Sequence, residues 1–220
     1  MSHDTEAVCT ADQALARLVA GNARFVAGDA RFPTVQKEVL AGLAKGQRPY
    51  ATILGCSDSR VPPELVFDAG FGELFIVRLA GNVLSPEVAG TLQYAGMHLR
   101  TPLFVVLGHE GCGAVQAALQ ARAGGVRQPS RIEALLKNIL PGLEAVDPAL
   151  APEAELHAAV EANVRWTLRQ IGDTPEARAR EAEGVMKLVG AVYELSTGRV
   201  RFLATSLPHG PSPASGADRA

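Results

Sequence analysis

The chain has 220 residues, enough to bury one full core, and its 47% hydrophobic and 20% charged residues are those of an ordinary globular protein rather than a disordered one. A formal net charge of −2, with arginines scattered and never interleaved with aromatics, argues against a nucleic-acid binder. No apolar stretch reaches the ~18 residues of a membrane span, and the polar start Met1-Ser2-His3-Asp4-Thr5-Glu6 has neither the basic nor the apolar segment of a signal peptide.

Taken in chain order, Thr10 to Ala27 predicts an amphipathic helix, with Thr10 or Asp12 as N-cap and Leu15, Leu18, Val19, Asn22 and Phe25 at helical spacing. A second helix is expected over Val35–Ala44, before the break at Gly46. Three short runs rich in β-branched residues follow, Ala51–Leu54, Leu74–Val77 and Leu103–Leu107. Turn formers bound each of them, as they do the fully buried strands of a parallel sheet. Pro86–Leu99 has the spacing of a crossover helix, and further helices are expected over Gly113–Ala123, Ser130–Leu140 and Pro152–Ile171. Val185–Leu195, the turn Ser196-Thr197-Gly198 and Val200–Leu203 read as a hairpin closing the sheet.

The alternation predicts an α/β fold: a mostly parallel sheet flanked by helices, with an N-terminal helical arm over residues 1–45. Residues 1–207 make one domain, and the Pro, Gly, Ser and Ala content of residues 208–220 predicts a disordered tail.

Three cysteines are an odd number and too few for a disulfide framework; with no export signal they read as reduced thiols in a cytoplasm. Cys56 follows the first strand directly, and His109 and Cys112 follow the third. In open α/β sheets, sites form outside the carboxyl ends of the strands, so the two clusters should converge there. Two thiolates and one imidazole suit zinc, one ion per chain, and leave a fourth tetrahedral position open as catalytic zinc sites do. Asp58, two residues beyond Cys56, can reach either the metal or a water on it, and in a closed state could itself be the fourth ligand. Pairing with Arg60 would hold it back. Gly113 opens a helix beside a ligand, so its N–H can point at a small anion.

The run Cys56-Ser57-Asp58-Ser59-Arg60-Val61-Pro62 together with Gly108-His109-x-x-Cys112-Gly113 resembles the β-class carbonic anhydrases. The likeness extends from about residue 10 to 205. It takes in Ala14, Gly21, Asn22, Arg24 and Phe25 of the first helix, Gly72–Arg78, Ala80-Gly81-Asn82, Tyr94-Ala95, Asn163-Val164, and Tyr193 with Thr197-Gly198.

The resemblance implies reversible hydration of carbon dioxide to bicarbonate and a proton, by a hydroxide on zinc held by Cys56, His109 and Cys112 and gated by the Asp58–Arg60 dyad. It also implies that Gln47, nine residues before Cys56, hydrogen-bonds the substrate, and that Phe75 and Tyr94 line the apolar pocket, Tyr94 from a partner subunit. A homodimer or homotetramer, with the first helix reaching onto the partner, is implied as well. Ile53 stands where the bicarbonate-inhibited type carries tryptophan, which points to the readily active, plant-like type. Leu79 and Glu110 depart from the family pattern.

Plainer readings stand beside these. Cys9 and the histidines at 3, 98, 157 and 209 have no partners in the pattern and read as packing or surface groups; Arg78 reads as structural. A cysteine hydrolase fails because Glu110 and Ala114 stand where the nucleophile elbow needs glycines. A redox protein would want C-x-x-C, and a nucleotide enzyme a P-loop or strand-linked G-x-G-x-x-G; all are missing. The alternative left is a zinc-stabilised binding or regulatory module without catalysis, for which the Asp58–Arg60 pair would have no use.

Overall fold

Runs of β-branched and aromatic residues between turn formers become strands because their side chains fill a pleated surface on both faces. The computed structural model describes residues 9–31, 37–124 and 128–204. Five strands form one sheet: β1 (Ala51–Gly55), β2 (Leu74–Arg78), β3 (Leu103–His109), β4 (Lys187–Tyr193) and β5 (Val200–Phe202). The order is β2-β1-β3-β4-β5, with β5 antiparallel to β4 and every other pairing parallel. The α/β class, the parallel core and the closing hairpin are as the sequence predicted. The 208–220 tail lies outside the described residues.

β1 and β3 are buried along their whole length, which explains why they read as continuous apolar runs. One face of the sheet, with Ile53, Val105 and Leu107, packs against α1 (Ala11–Ala27) and α3 (Pro63–Val66). The other face, with Leu54, Val106 and Leu188, packs against α4 (Pro86–Tyr94), α5 (Gly113–Arg122), α6 (Ser130–Leu136) and α7 (Pro152–Gly172). Gly108 and Gly190 let α7 lie directly on the strands. A Cβ at Gly108 would stand 2.6 Å from Val164 Cγ2, and one at Gly190 would stand 2.7 Å from Leu168 Cδ1.

Local chemistry sets the helix ends. Thr10 caps α1 in a reciprocal box with Gln13, and Gly28 ends it in the left-handed conformation. The expected second helix is α2 (Lys37–Leu43), as far as the described residues show. Pro86–Leu99 is one helical stretch, but its last turn, Ala95–Leu99, is a π-turn ending at Arg100 with φ +54°. Ser130–Leu140 divides into α6 and a 3-10 turn over Leu140–Leu143. A further helix, α8 (Pro175–Ala182), was not expected, because only Ala177 on it is buried and no apolar period exists to read. Thr174, accepting from the Ala177 N–H, and Pro175 are its start signals.

The apolar stripe of α1 is only partly covered within the chain: Ala14 and Leu18 are fully buried, and Val19 and Val26 are exposed. Asn22 is not part of an apolar contact. Its Nδ2 donates to the Val66 and Gly198 carbonyls, and its Oδ1 accepts from the Val200 N–H. One amide thus ties the helix to α3 and to the hairpin. Replacing Asn22 by Leu strands three backbone groups, so urea denaturation should show a loss of about 2–4 kcal/mol. A loss below ~0.5 kcal/mol, the scale of an ordinary surface change, would mean that the amide ties nothing.

Candidate metal centre

Cys56 is the first residue after β1, His109 is the last of β3, and Cys112 is the N-cap of α5. Because β1 and β3 are parallel neighbours with Gly55 opposite Leu107, the two strands end side by side. Gly111, at φ +62°, turns the chain between the second and third of these residues. The thiol sulfurs and one imidazole nitrogen all lie within 4.8 Å of one another, and all three residues are buried.

Burial of this trio creates a charge problem. Cys56 ionises well below an ordinary thiol, chiefly because Cys112 hydrogen-bonds it, with further help from the Gly81 and Asp58 amides. Cys112 moves the other way, held protonated by the neighbouring Cys56 sulfur and by burial. The protein alone accommodates one thiolate here, and a second needs a cation.

His109 Nδ1 lies 2.9 Å from the Glu110 carbonyl oxygen, so Nδ1 carries the proton and Nε2 keeps its lone pair. That buried Nε2 has no hydrogen-bond partner. An orphaned acceptor beside two thiols is the donor set that fits a tetrahedral dication with sulfur and nitrogen ligands.

The rim is ordered by arginines. Arg60 makes a two-point contact with Asp58, Nε to Oδ1 at 2.9 Å and Nη2 to Oδ2 at 2.7 Å, and its own backbone N–H also reaches Oδ1 at 2.9 Å. This holds the Asp58 carboxyl well below the usual carboxylate range. Asp58 Oδ2 stands 3.9 Å from His109 Nε2, so the carboxylate faces the Cys56–His109–Cys112 cluster while Arg60 restrains it.

Arg78 has a part that its sequence context did not signal. Its Nε donates to the Cys56 carbonyl at 2.8 Å and its Nη2 to the Asp58 carbonyl at 2.6 Å, which fixes the loop that carries both groups. Its position opposite Gly55 explains the reach, and only the strand register reveals it. Glu110 is likewise explained: its N–H donates to the Tyr193 carbonyl and its carboxylate accepts from the Leu195 N–H, joining the ligand loop to the β4–β5 hairpin. Leu79 donates its N–H to the Gly55 carbonyl and packs its side chain against the core.

The expected substrate residues are dispersed within the chain. Gly113 opens α5 with free space around its Cα, next to Cys112. Phe75 and Tyr94 pair as aromatics at 6.3 Å, Phe75 level with Thr52 on β1 and Tyr94 exposed. Gln47 lies before the amino end of β1, in a recess of ≈470 Å³ lined with Arg17, Arg48, Tyr50 and Glu73. Five residues of strand, roughly 17 Å, separate that end from Cys56. Ile53 is core on the α1 side of the sheet, away from the cluster.

The sequence profile of the family described as Carbonic anhydrase matches residues 51–200, which spans every one of the cluster and rim residues. A carbonic anhydrase of Mycolicibacterium smegmatis is 38% identical over 182 residues, covering 83% of this chain and 88% of that protein. Carbonic anhydrase 2 of Mycobacterium tuberculosis is 38% identical over 190 residues, covering 83% and 87%. Among solved structures, the β-carbonic anhydrase CcaA superposes with a TM-score of 0.70 at 26% identity, over 88% of this chain and 93% of that one.

The folded protein is expected to take up one equivalent of zinc, and Cys56→Ala or Cys112→Ala to lose it. Zinc retention should weaken as pH falls, because protons compete for the thiolates. Metal analysis after dialysis checks both, and full retention in either variant would dissolve the trio as a ligand set.

Proposed function

This chain belongs to the β-class carbonic anhydrases, enzymes that hydrate carbon dioxide, and from that premise we propose how its own residues divide the work. The observation that carries the reading is the buried Cys56–His109–Cys112 cluster with its unpartnered Nε2, faced by a carboxylate already restrained by Arg60. Cys56, His109 and Cys112 would hold zinc. When bound, zinc supplies the Lewis acidity that makes water a nucleophile at neutral pH.

Asp58 accepts a hydrogen bond from the attacking water and orients it. Its two side-chain contacts with Arg60 would keep the carboxylate from becoming a ligand itself. Since the Arg60 contact lowers the Asp58 pKa, the carboxylate stays ionised through the usual carboxylate range, and its charge does not vary across neutral pH. The Gly113 N–H steadies the nascent bicarbonate at the start of α5. Carbon dioxide and water give bicarbonate and one proton, which leaves to solvent.

Gln47, Phe75 and Tyr94 complete the substrate pocket in this proposal. Because Gln47 lies at the far end of β1 from Cys56, it serves the site of a second copy, as expected for Tyr94. Support for a homodimer or homotetramer comes from the surface. The edge strand β2 carries Leu74, Phe75, Ile76 and Val77 only half-buried, and Phe71 and Tyr94 beside it are exposed. Ile53 in place of tryptophan supports the readily active, plant-like type. Thiol ligands need a reducing compartment, which supports a cytoplasmic setting. Among the described residues, no helix is long and apolar enough to cross a membrane.

The alternative, a zinc-stabilised module without catalysis, gives Asp58 nothing to do. Asp58→Ala is therefore the discriminating variant. It should keep one zinc yet lose turnover by about 10²-fold in stopped-flow carbon dioxide hydration. Unchanged turnover would reduce the Asp58–Arg60 contact to a surface ion pair. Light scattering should give the mass of two or four chains, and a monomer that is fully active would refute the contribution of Gln47 in trans.

A further inference from the structure

We infer that Asn163 and Thr167, on the helix behind the sheet, are positioning residues for the Cys56 sulfur, acting through the turn Ala80–Asn82. The inference rests on the zinc reading above. Both side chains lie on one face of α7, four residues apart, and both are fully buried. A polar group taken from water to such a place is costly unless it finds a partner. Asn163 Nδ2 donates to the Gly81 carbonyl at 2.8 Å, and Thr167 Oγ1 donates to the Asn82 carbonyl at 3.3 Å. Two buried polar residues thus hold two successive carbonyls of a single turn.

That turn needs holding. Gly81 and Asn82 are both left-handed, at φ +70° and +45°, a conformation that costs a non-glycine residue such as Asn82 energy unless its surroundings hold it. Its front is packed as well: a Cβ on Gly81 would stand 2.8 Å from Ile139 Cδ1 and 3.1 Å from Ala114 Cβ. Fixed from behind and in front, the turn aims the Gly81 N–H at Cys56 Sγ, 3.4 Å away.

The chemical consequence is on the thiolate. An N–H bonded to a ligand sulfur draws charge from it, so the sulfur donates less to the metal. In a site with two thiolates this tempers the electron density that would otherwise blunt the metal's Lewis acidity. Removing the Asn163 amide frees the Gly81 carbonyl, lets the turn relax and moves its N–H off the sulfur.

The test uses cobalt in place of zinc, because the sulfur-to-cobalt charge-transfer band reports sulfur electron density directly. Asn163→Ala and Thr167→Val should still bind one cobalt, with the band moved to lower energy. Thr167→Ser keeps the hydroxyl and should match the parent. Leu168→Ala, on the same helix but facing Gly190, loosens packing without touching the turn and should leave the band in place. If Asn163→Ala does not fold, the Thr167→Val and Thr167→Ser pair decides the matter. Cobalt bound with an unmoved band in these variants overturns the positioning role and leaves the metal site standing. A band moved equally by Leu168→Ala overturns it too. A parent protein that binds neither metal overturns the reading of the site, and the inference with it.

Discussion

Two thiols and an imidazole nitrogen buried within 4.8 Å of one another cannot all be satisfied by protein groups, and much of the structure can be understood as managing that constraint. One thiol ionises easily at the expense of the other, and the imidazole presents a lone pair with nothing to accept. A soft dication resolves all three at once. The surrounding backbone is held from several directions, by Arg78 on the Cys56 loop, by Glu110 on the hairpin and by α7 on the Ala80–Asn82 turn. None of these groups is a ligand. Each restricts where a ligand or its neighbour can stand.

The division of the sheet into two faces explains how a reactive edge coexists with a stable core. Leu54 and Cys56 point to the helices α4–α7, whereas Ile53 points to α1 and α3. The alternation of a strand therefore places Cys56 on the face where α5 supplies Cys112 and α7 supplies the buried amide. Glycines at 108 and 190 bring α7 close enough to act on the turn. Packing and chemistry share the same contacts here, which is why α7 bears on the site without containing a ligand.

Legibility varied with the physical origin of each feature. The strands were readable because burial on both faces leaves uninterrupted apolar runs. α8 was not, since its sequence is polar and alanine-rich and only Ala177 is buried. Asn22 falls at helical spacing among apolar residues, which masks its role, since its amide makes three hydrogen bonds to distant backbone. Arg78 and Glu110 lay inside recognisable motifs, yet their partners are 22 and 85 residues away in sequence. Spacing along a chain carries no trace of such contacts.

Sequence alone determined the class of chemistry: the residue types at 56, 109 and 112, each just past an apolar run, make a donor set that could hold a soft metal ion at the carboxyl edge of a parallel sheet. It also determined the local pairing of Asp58 with Arg60, because two residues of loop suffice for the contact. Tertiary structure decided the rest. It set Gln47 at the opposite end of β1 from Cys56, gave the His109 proton to Nδ1, and brought the Gly81 N–H to the Cys56 sulfur under two polar residues of α7. The reason is the range of the forces involved. Ligand type and neighbouring charge act over one turn of chain, whereas orientation within a buried site depends on hydrogen bonds that only the packed sheet and its helices bring into reach.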